Sequence, residues 1–162
     1  MHMATKHEFK DTHERIVLAN VANFGWHAIN VLEDDGTPPW TYTIGLYETW
    51  HHPELIIIGR SRATANHMLQ TIADILGADQ RPNLNEPTTQ LLPGVKCHYL
   101  EVEPRHHPDY VGYARWYYAR KPFPLYQIVW PNTDGQYPWD PNAPDTFRQW
   151  QPLLGSAPIP KL

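Results

Sequence analysis

The sequence predicts an α+β fold, a single compact domain over residues 1–162. It pairs a mixed or mostly antiparallel sheet with about three helices and an irregular proline-rich C-terminal tail. Three observations predict it. Residues 26–47 hold two strand-like runs around a turn. Leu55-Ile56-Ile57-Ile58 is a continuous apolar run of the kind a strand buried on both faces requires. Ala65, Met68, Leu69, Ile72, Ala73 and Leu76 fall on one helical stripe. The expected order is α-β-β-β-α-β-α-β.

Asp11 to Ala22 reads as the first helix: Asp11 offers a cap, Glu14 follows three residues on as in a capping box, and Gly25 is placed to stop it. Trp26 to Glu33 reads as a strand and Asp34-Asp35-Gly36 as a turn, lengthened by Thr37-Pro38-Pro39. Trp40 to Tyr47 follows as a second strand, with Trp40, Tyr42, Ile44 and Leu46 on one face at period two. The two runs make a hairpin. The apolar run ends at Gly59 and passes through Arg60 into a helix capped by Ser61 and closed by Gly77. Residues 78–93 carry three prolines and no periodicity, so a loop is expected there. Val95 to Val102 reads as a strand, Pro108 to Arg120 as a helix with proline in its first turn, and Leu125 to Trp130 as the last strand. Residues 142–162 form the tail, with Trp139, Phe147 and Trp150 expected to pack it on the domain, and residues 1–10 are expected to be flexible.

Composition narrows the functional classes. Thirteen Lys and Arg against 17 Asp and Glu leave a net charge of −4, which argues against a nucleic-acid binder, whose footprint is a basic surplus. Aromatic residues at 12% are too many for a disordered chain. No apolar run approaches the roughly 20 residues of a membrane-spanning helix and no signal peptide is read at the start, so a cytoplasmic protein without a membrane partner is expected. The single cysteine, Cys97, excludes an intramolecular disulfide and a cysteine-based zinc site. On a strand Cys97 and His98 face opposite sides, so Cys97 is expected as a small buried residue rather than half of a Cys–His pair.

Gly25-Trp26-His27, Tyr42-Thr43-Ile44-Gly45-Leu46, His52-Pro53-Glu54-Leu55-Ile56, Gln127-Ile128-Val129-Trp130-Pro131 and Pro138-Trp139 occur in this order. Over roughly residues 11 to 141 the set resembles the bacterial domain-of-unknown-function family 4262. The resemblance implies a small, stand-alone bacterial protein and brings no established activity or catalytic residue. A fold-level analogy over residues 26 to 76 points to flavin-reductase-like split barrels, which bind FMN.

Among candidate sites, Gly59-Arg60-Ser61-Arg62 joins a buried strand to a helix N-terminus, where unpaired N–H groups and two arginines suit a phosphate or carboxylate. Were that ligand FMN, Thr41 and Thr43 on the neighbouring strand would help to hold it. The plainer reading is a serine N-cap between solvated arginines. His51-His52-Pro53-Glu54 and His106-His107-Pro108-Asp109 echo each other, with His98 between them, and supply metal-ligand types without an i, i+4 pair. Metal binding through His51, His52, His106 and His107 therefore stays a second alternative, behind turns that open proline-led elements. His52 with Glu54 has acid–base chemistry but no nucleophile or oxyanion hole is read beside it, so a catalytic role is not favoured. In the aromatic segment 110–118, Tyr110, Tyr113, Ala114 and Tyr117 share a core-facing stripe. Trp116 and Tyr118 look elsewhere and, with Trp139, are candidates for a partner surface. The reading is a monomeric or homodimeric binding protein for a small anionic ligand or a protein partner, an immunity or antitoxin-like factor among the latter. An FMN-binding flavoprotein is the first alternative.

Overall fold

Four successive apolar residues need apolar neighbours above and below, and Leu55–Ile58 finds them in the middle of a sheet. The computed structural model describes residues 12–158. The expected cap Asp11, the flexible lead-in 1–10 and residues 159–162 lie outside the described residues. Along the chain come α1 (Thr12–Phe24), β1 (His27–Val31), β2 (Trp40–Ile44), α2 (Leu46–Trp50), β3 (Glu54–Ile58) and α3 (Arg62–Gly77). Then follow β4 (Thr88–Leu92), β5 (Val95–Glu101), a 3₁₀ turn at Pro104–His106, α4 (His107–Tyr110), α5 (Gly112–Tyr117), β6 (Leu125–Val129) and α6 (Asp145–Trp150).

The strands form one six-stranded sheet in the order β1-β2-β3-β6-β5-β4. β3 and β6 run parallel and the other neighbours antiparallel, giving the mixed sheet of an α+β protein. Period-two alternation divides the apolar side chains between its faces. Ile29, Tyr42, Ile44, Ile56 and Ile58 join Val17 and Val21 of α1 and Ala114 and Tyr117 of α5 in one core. Leu55, Ile57 and Ile128 join Ala65, Met68, Leu69, Ile72 and Leu76 of α3 in the other, where Phe147 and Trp150 of α6 also pack. At the hairpin tip Asp34 and Thr37 bond reciprocally across Asp35 and Gly36. Those two have φ of +47° and +81°, the double positive φ of a type I′ turn.

Several expectations are corrected. Six α-helices are described rather than about three. β2 stops at Ile44 instead of Tyr47, because Gly45 takes φ +107° and turns the chain into the unforeseen α2. The helix expected over 108–120 is broken at Val111, which leaves helical geometry and is buried in the first core. Groups from β2 serve the break: Trp40 Nε1 donates to Tyr110 O (2.9 Å) and Tyr113 N donates to Tyr42 Oη (3.1 Å). Within the expected loop 78–93, Thr88–Leu92 is recruited as edge strand β4 because β5 offers it a ladder and Leu91 a place in the second core. In the stretch read as an irregular tail, Asp145–Trp150 is helical. Among the described residues the sheet is open, with β1 and β4 as separate edges, so the barrel analogy finds no closed barrel there. Among the described residues no helix is long and apolar enough to cross a membrane.

Candidate functional site

A buried carboxylate organises one end of the molecule. Glu54, at the start of the central strand β3, is fully buried and accepts from five neutral donors. Thr43 Oγ1 (2.7 Å) and Leu46 N (3.2 Å) reach Oε1, while Gly45 N (3.0 Å), Tyr47 N (3.2 Å) and the Tyr118 hydroxyl reach Oε2. Three of these are backbone N–H groups at the opening of α2, so Glu54 satisfies groups that a helix start leaves orphaned. Burial pushes its carboxyl above the ordinary value, and the hydrogen bonds pull it back.

With α2 anchored, two glycines let the chain cross closely. A Cβ on Gly45 would lie 2.7 Å from Gly25 O, and one on Gly25 would lie 2.9 Å from Trp50 Cη2. This crossing sets Trp26, at the root of β1, and Trp50, at the end of α2, on the wall of a cleft of about 900 Å³. The cleft lies between α1 and α3 along the edge of β1 that no described strand pairs, within the roughly 300–1,000 Å³ of small-molecule sites. Phe24, the third ring on its wall, is 68% exposed.

Its polar walls are amides, an imidazole and one acid. The Asn20 amide donates to His27 Nδ1 (2.9 Å), leaving the ring proton on Nε2. Asn30 Oδ1 accepts from Thr41 Oγ1 (2.9 Å), which leaves the Asn30 NH₂ available. Gln70 Nε2 donates to Asp74 Oδ1 (2.9 Å). Asn66 Oδ1 is buried without a hydrogen-bond partner, an acceptor left over in the wall. Burial first, then the neighbouring His13, lowers His27 to about 4, so its imidazole is neutral at pH 7.

That shift sets a pH dependence. His27 has a folded value below its ordinary 6.5, so the unfolded chain binds the extra proton between the two. Stability is expected to be fully present above about pH 6.5 and to fall as the pH drops towards about 4. Urea melts of His27→Gln across that range should show a shallower acid loss than the parent; equal slopes would remove His27 from the account.

The sequence-predicted candidates are partly gathered. Gly59 has φ +89°, donates N–H to Pro39 O (2.8 Å) and accepts from Trp150 Nε1 (2.8 Å), so its missing side chain admits Trp150. Arg60 lies over the Trp130 ring at 4.9 Å. Ser61 caps its own helix by accepting from Thr64 N (3.2 Å), and Arg62 is exposed on the first residue of α3. Thr43 stands at the other end of the strand pair, buried, donating to Glu54 and accepting from Leu55 N (2.9 Å). Cys97 is buried, and burial raises its thiol to about 11.

His51 is exposed, whereas His52 is buried, with Nδ1 donating to Pro53 O (2.8 Å) and Nε2 lacking a partner. His106 and His107 are half-buried against Tyr110 and Phe123. Among the described residues no group of three or more His, Cys, Asp or Glu is placed to hold a metal ion. Of the surface aromatics, Trp116 is half-buried and Trp139 stacks on Tyr137 at 4.8 Å. Tyr118 corrects its expected placement: at 6% exposure it packs in the first core, because its hydroxyl is bound to Glu54. The exposed large apolar side chains among the described residues are instead Ile16, Phe24 and Leu32, on α1 and just beyond β1.

Sequence reasoning missed the cleft. The one local signal was Asn66, Gln70 and Asp74 recurring every fourth residue along α3, beside its apolar stripe. A family model described as Domain of unknown function (DUF4262) matches residues 20–144, which include the Gly25-Trp26-His27 segment, Gly45 and Glu54. No curated protein and no solved structure matches the chain.

Proposed function

Since the chain belongs to the DUF4262 family, whose description assigns no activity, we propose from its geometry a binding protein whose ligand lies along the free edge of β1. The observation that carries this reading is a large cleft with aromatic walls and hydrogen-bonding capacity to spare, above all the unpartnered buried Asn66 Oδ1. With a neutral His27 and Asp74 as the charged group among the described lining residues, the cleft suits an uncharged, hydrogen-bonding ligand better than an anion. The groups with reactive chemistry support binding over catalysis: Glu54 holds α2 in place, and the Cys97 thiol is buried and protonated at pH 7. A protein partner is a second form of the reading, favoured by the exposed Phe24 and Leu32 beside a strand edge unpaired among the described residues.

Native mass spectrometry of freshly purified protein tests the proposal. A mass excess that disappears on denaturation is expected, and Gly77→Phe should abolish it. Gly77 lines the cleft in helical backbone, and a Cβ there would meet nothing within 4 Å, so a larger side chain has room to start into the cleft, and an unchanged circular dichroism spectrum checks that the variant is folded. An excess retained undiminished by Gly77→Phe would place the ligand elsewhere.

A further inference from the structure

A second groove, of about 420 Å³, opens where the end of β3, the turn between β4 and β5, and the loop after β6 meet. We propose that it binds a phosphate group, free or carried on a small molecule, between Arg60 and Lys96. Both cations line the groove, and among the described residues neither forms an ion pair with a carboxylate. In a chain of net charge −4, a groove whose described lining holds two cations and no acid is a local excess of positive charge. Arg60 holds its guanidinium carbon over the Trp130 ring, 4.9 Å from the centroid, a cation–π contact that uses no N–H donor and so leaves them for an acceptor.

The remaining walls suit close approach by an anion. Gly94 and Gly135 have φ of +70° and +78°, and a Cβ on either would meet open space, so no side chain screens the groove at these two positions, although the Gly135 N–H is itself engaged by Asn132 O (3.0 Å). The loop is tied down on both sides: Asn132 Oδ1 accepts from Asp134 N (3.0 Å) and Gln136 N (2.9 Å), and Tyr137 Oη donates to Lys96 O (2.7 Å). Of this loop's two acids, the exposed Asp134 sits between Thr133 and Gly135, and Asp140 accepts from Tyr137 N (2.8 Å); neither lines the groove. Thr133 adds a hydroxyl to the wall. This groove differs in kind from the β1 cleft, whose described lining carries no Lys or Arg.

The test is a titration of the full ¹⁵N-labelled chain with inorganic phosphate at constant ionic strength. Saturable shifts are expected at the Gly94, Lys96, Thr133 and Gly135 amides with a Kd of about 1 mM or tighter, while Asn66 in the β1 cleft stays unmoved. Arg60→Gln and Lys96→Gln should each weaken binding about tenfold or more. Ribose 5-phosphate binding more tightly than phosphate, with ribose alone silent, would identify an organic phosphate; equal affinities would identify the free ion. Shifts that fail to saturate by about 50 mM would overturn the proposal, as would affinity unchanged in either variant. If Arg60→Gln loses its native spectrum with its contact to Trp130, the exposed Lys96→Gln decides.

Discussion

Glu54→Gln is expected to lower unfolding free energy by about 3 kcal/mol, since each buried donor stranded without an acceptor costs about 1–3 kcal/mol and such losses are less than additive. All five partners present hydrogens, two to Oε1 and three to Oε2. Whichever oxygen becomes NH₂, its donors meet another donor in a site closed to water. Gly45, Leu46 and Tyr47 lose part of their anchor, so α2 should loosen and Trp50 emission should change before global unfolding. Urea denaturation measures the first, and tryptophan fluorescence compared with a Trp50→Phe background, which separates Trp50 from the other tryptophans of the seven, measures the second. A loss below about 1 kcal/mol would show that burial has overcome the donors and that the carboxyl is already protonated in the fold. Tyr118→Phe removes one donor to Glu54 and the acceptor of Glu48 N (3.3 Å), and should cost less, about 1–2 kcal/mol.

Gly45→Ala is expected to cost about 2–4 kcal/mol, combining a disallowed backbone with a collision that cannot relax. Gly45 has φ +107°, a conformation that L side chains rarely adopt. Its Cβ would lie 2.7 Å from the carbonyl oxygen of Gly25 and 3.1 Å from Trp26 Cα, both backbone atoms. Relief requires moving α2 away from the segment joining α1 to β1, which would pull Trp26 and Trp50 apart and widen the cleft. Thermal unfolding of Gly45→Ala beside Gly77→Ala separates the causes. Gly77 is helical and faces open space, so alanine there should be neutral or stabilising by up to about 1 kcal/mol. Similar melting temperatures for the two variants would refute the tight crossing at Gly45.

Residues differ in how far their roles can be read from their neighbours in sequence. Ala65 through Leu76 announce α3 because a 3.6-residue period and a serine cap are properties of the segment itself. Asp34-Asp35-Gly36 announces the turn because positive φ is tolerated by few residue types. Leu55–Ile58 announces the central strand because only a doubly covered strand accepts four apolar residues in succession. By contrast, Leu46–Trp50 is too short to nucleate alone and exists because a carboxylate eight residues away in sequence caps it. Likewise β4 has no strand period, and the helix expected over 108–120 breaks where Trp40 and Tyr42, some 70 residues earlier, supply hydrogen-bond partners.

The candidate sites divide in the same way. The turn at Gly59–Arg62 was visible as a strand running into a capped helix, but its chemistry depends on Trp150 closing over Gly59 and Trp130 stacking on Arg60. The β1 cleft takes its walls from α1, β1, α2 and α3, and beyond the polar row Asn66, Gln70 and Asp74 on α3 no local pattern brings these residues together. By itself the sequence determined the hairpin, the central strand, the long helix and the α+β class, since periodicity and turn chemistry are local energies. Only the tertiary structure decided that Glu54 is a buried anchor, that Tyr118 is interior, and that amides and aromatic rings distant in sequence share one cleft. Those outcomes rest on desolvation and long-range hydrogen bonding, whose strength depends on which groups are brought together.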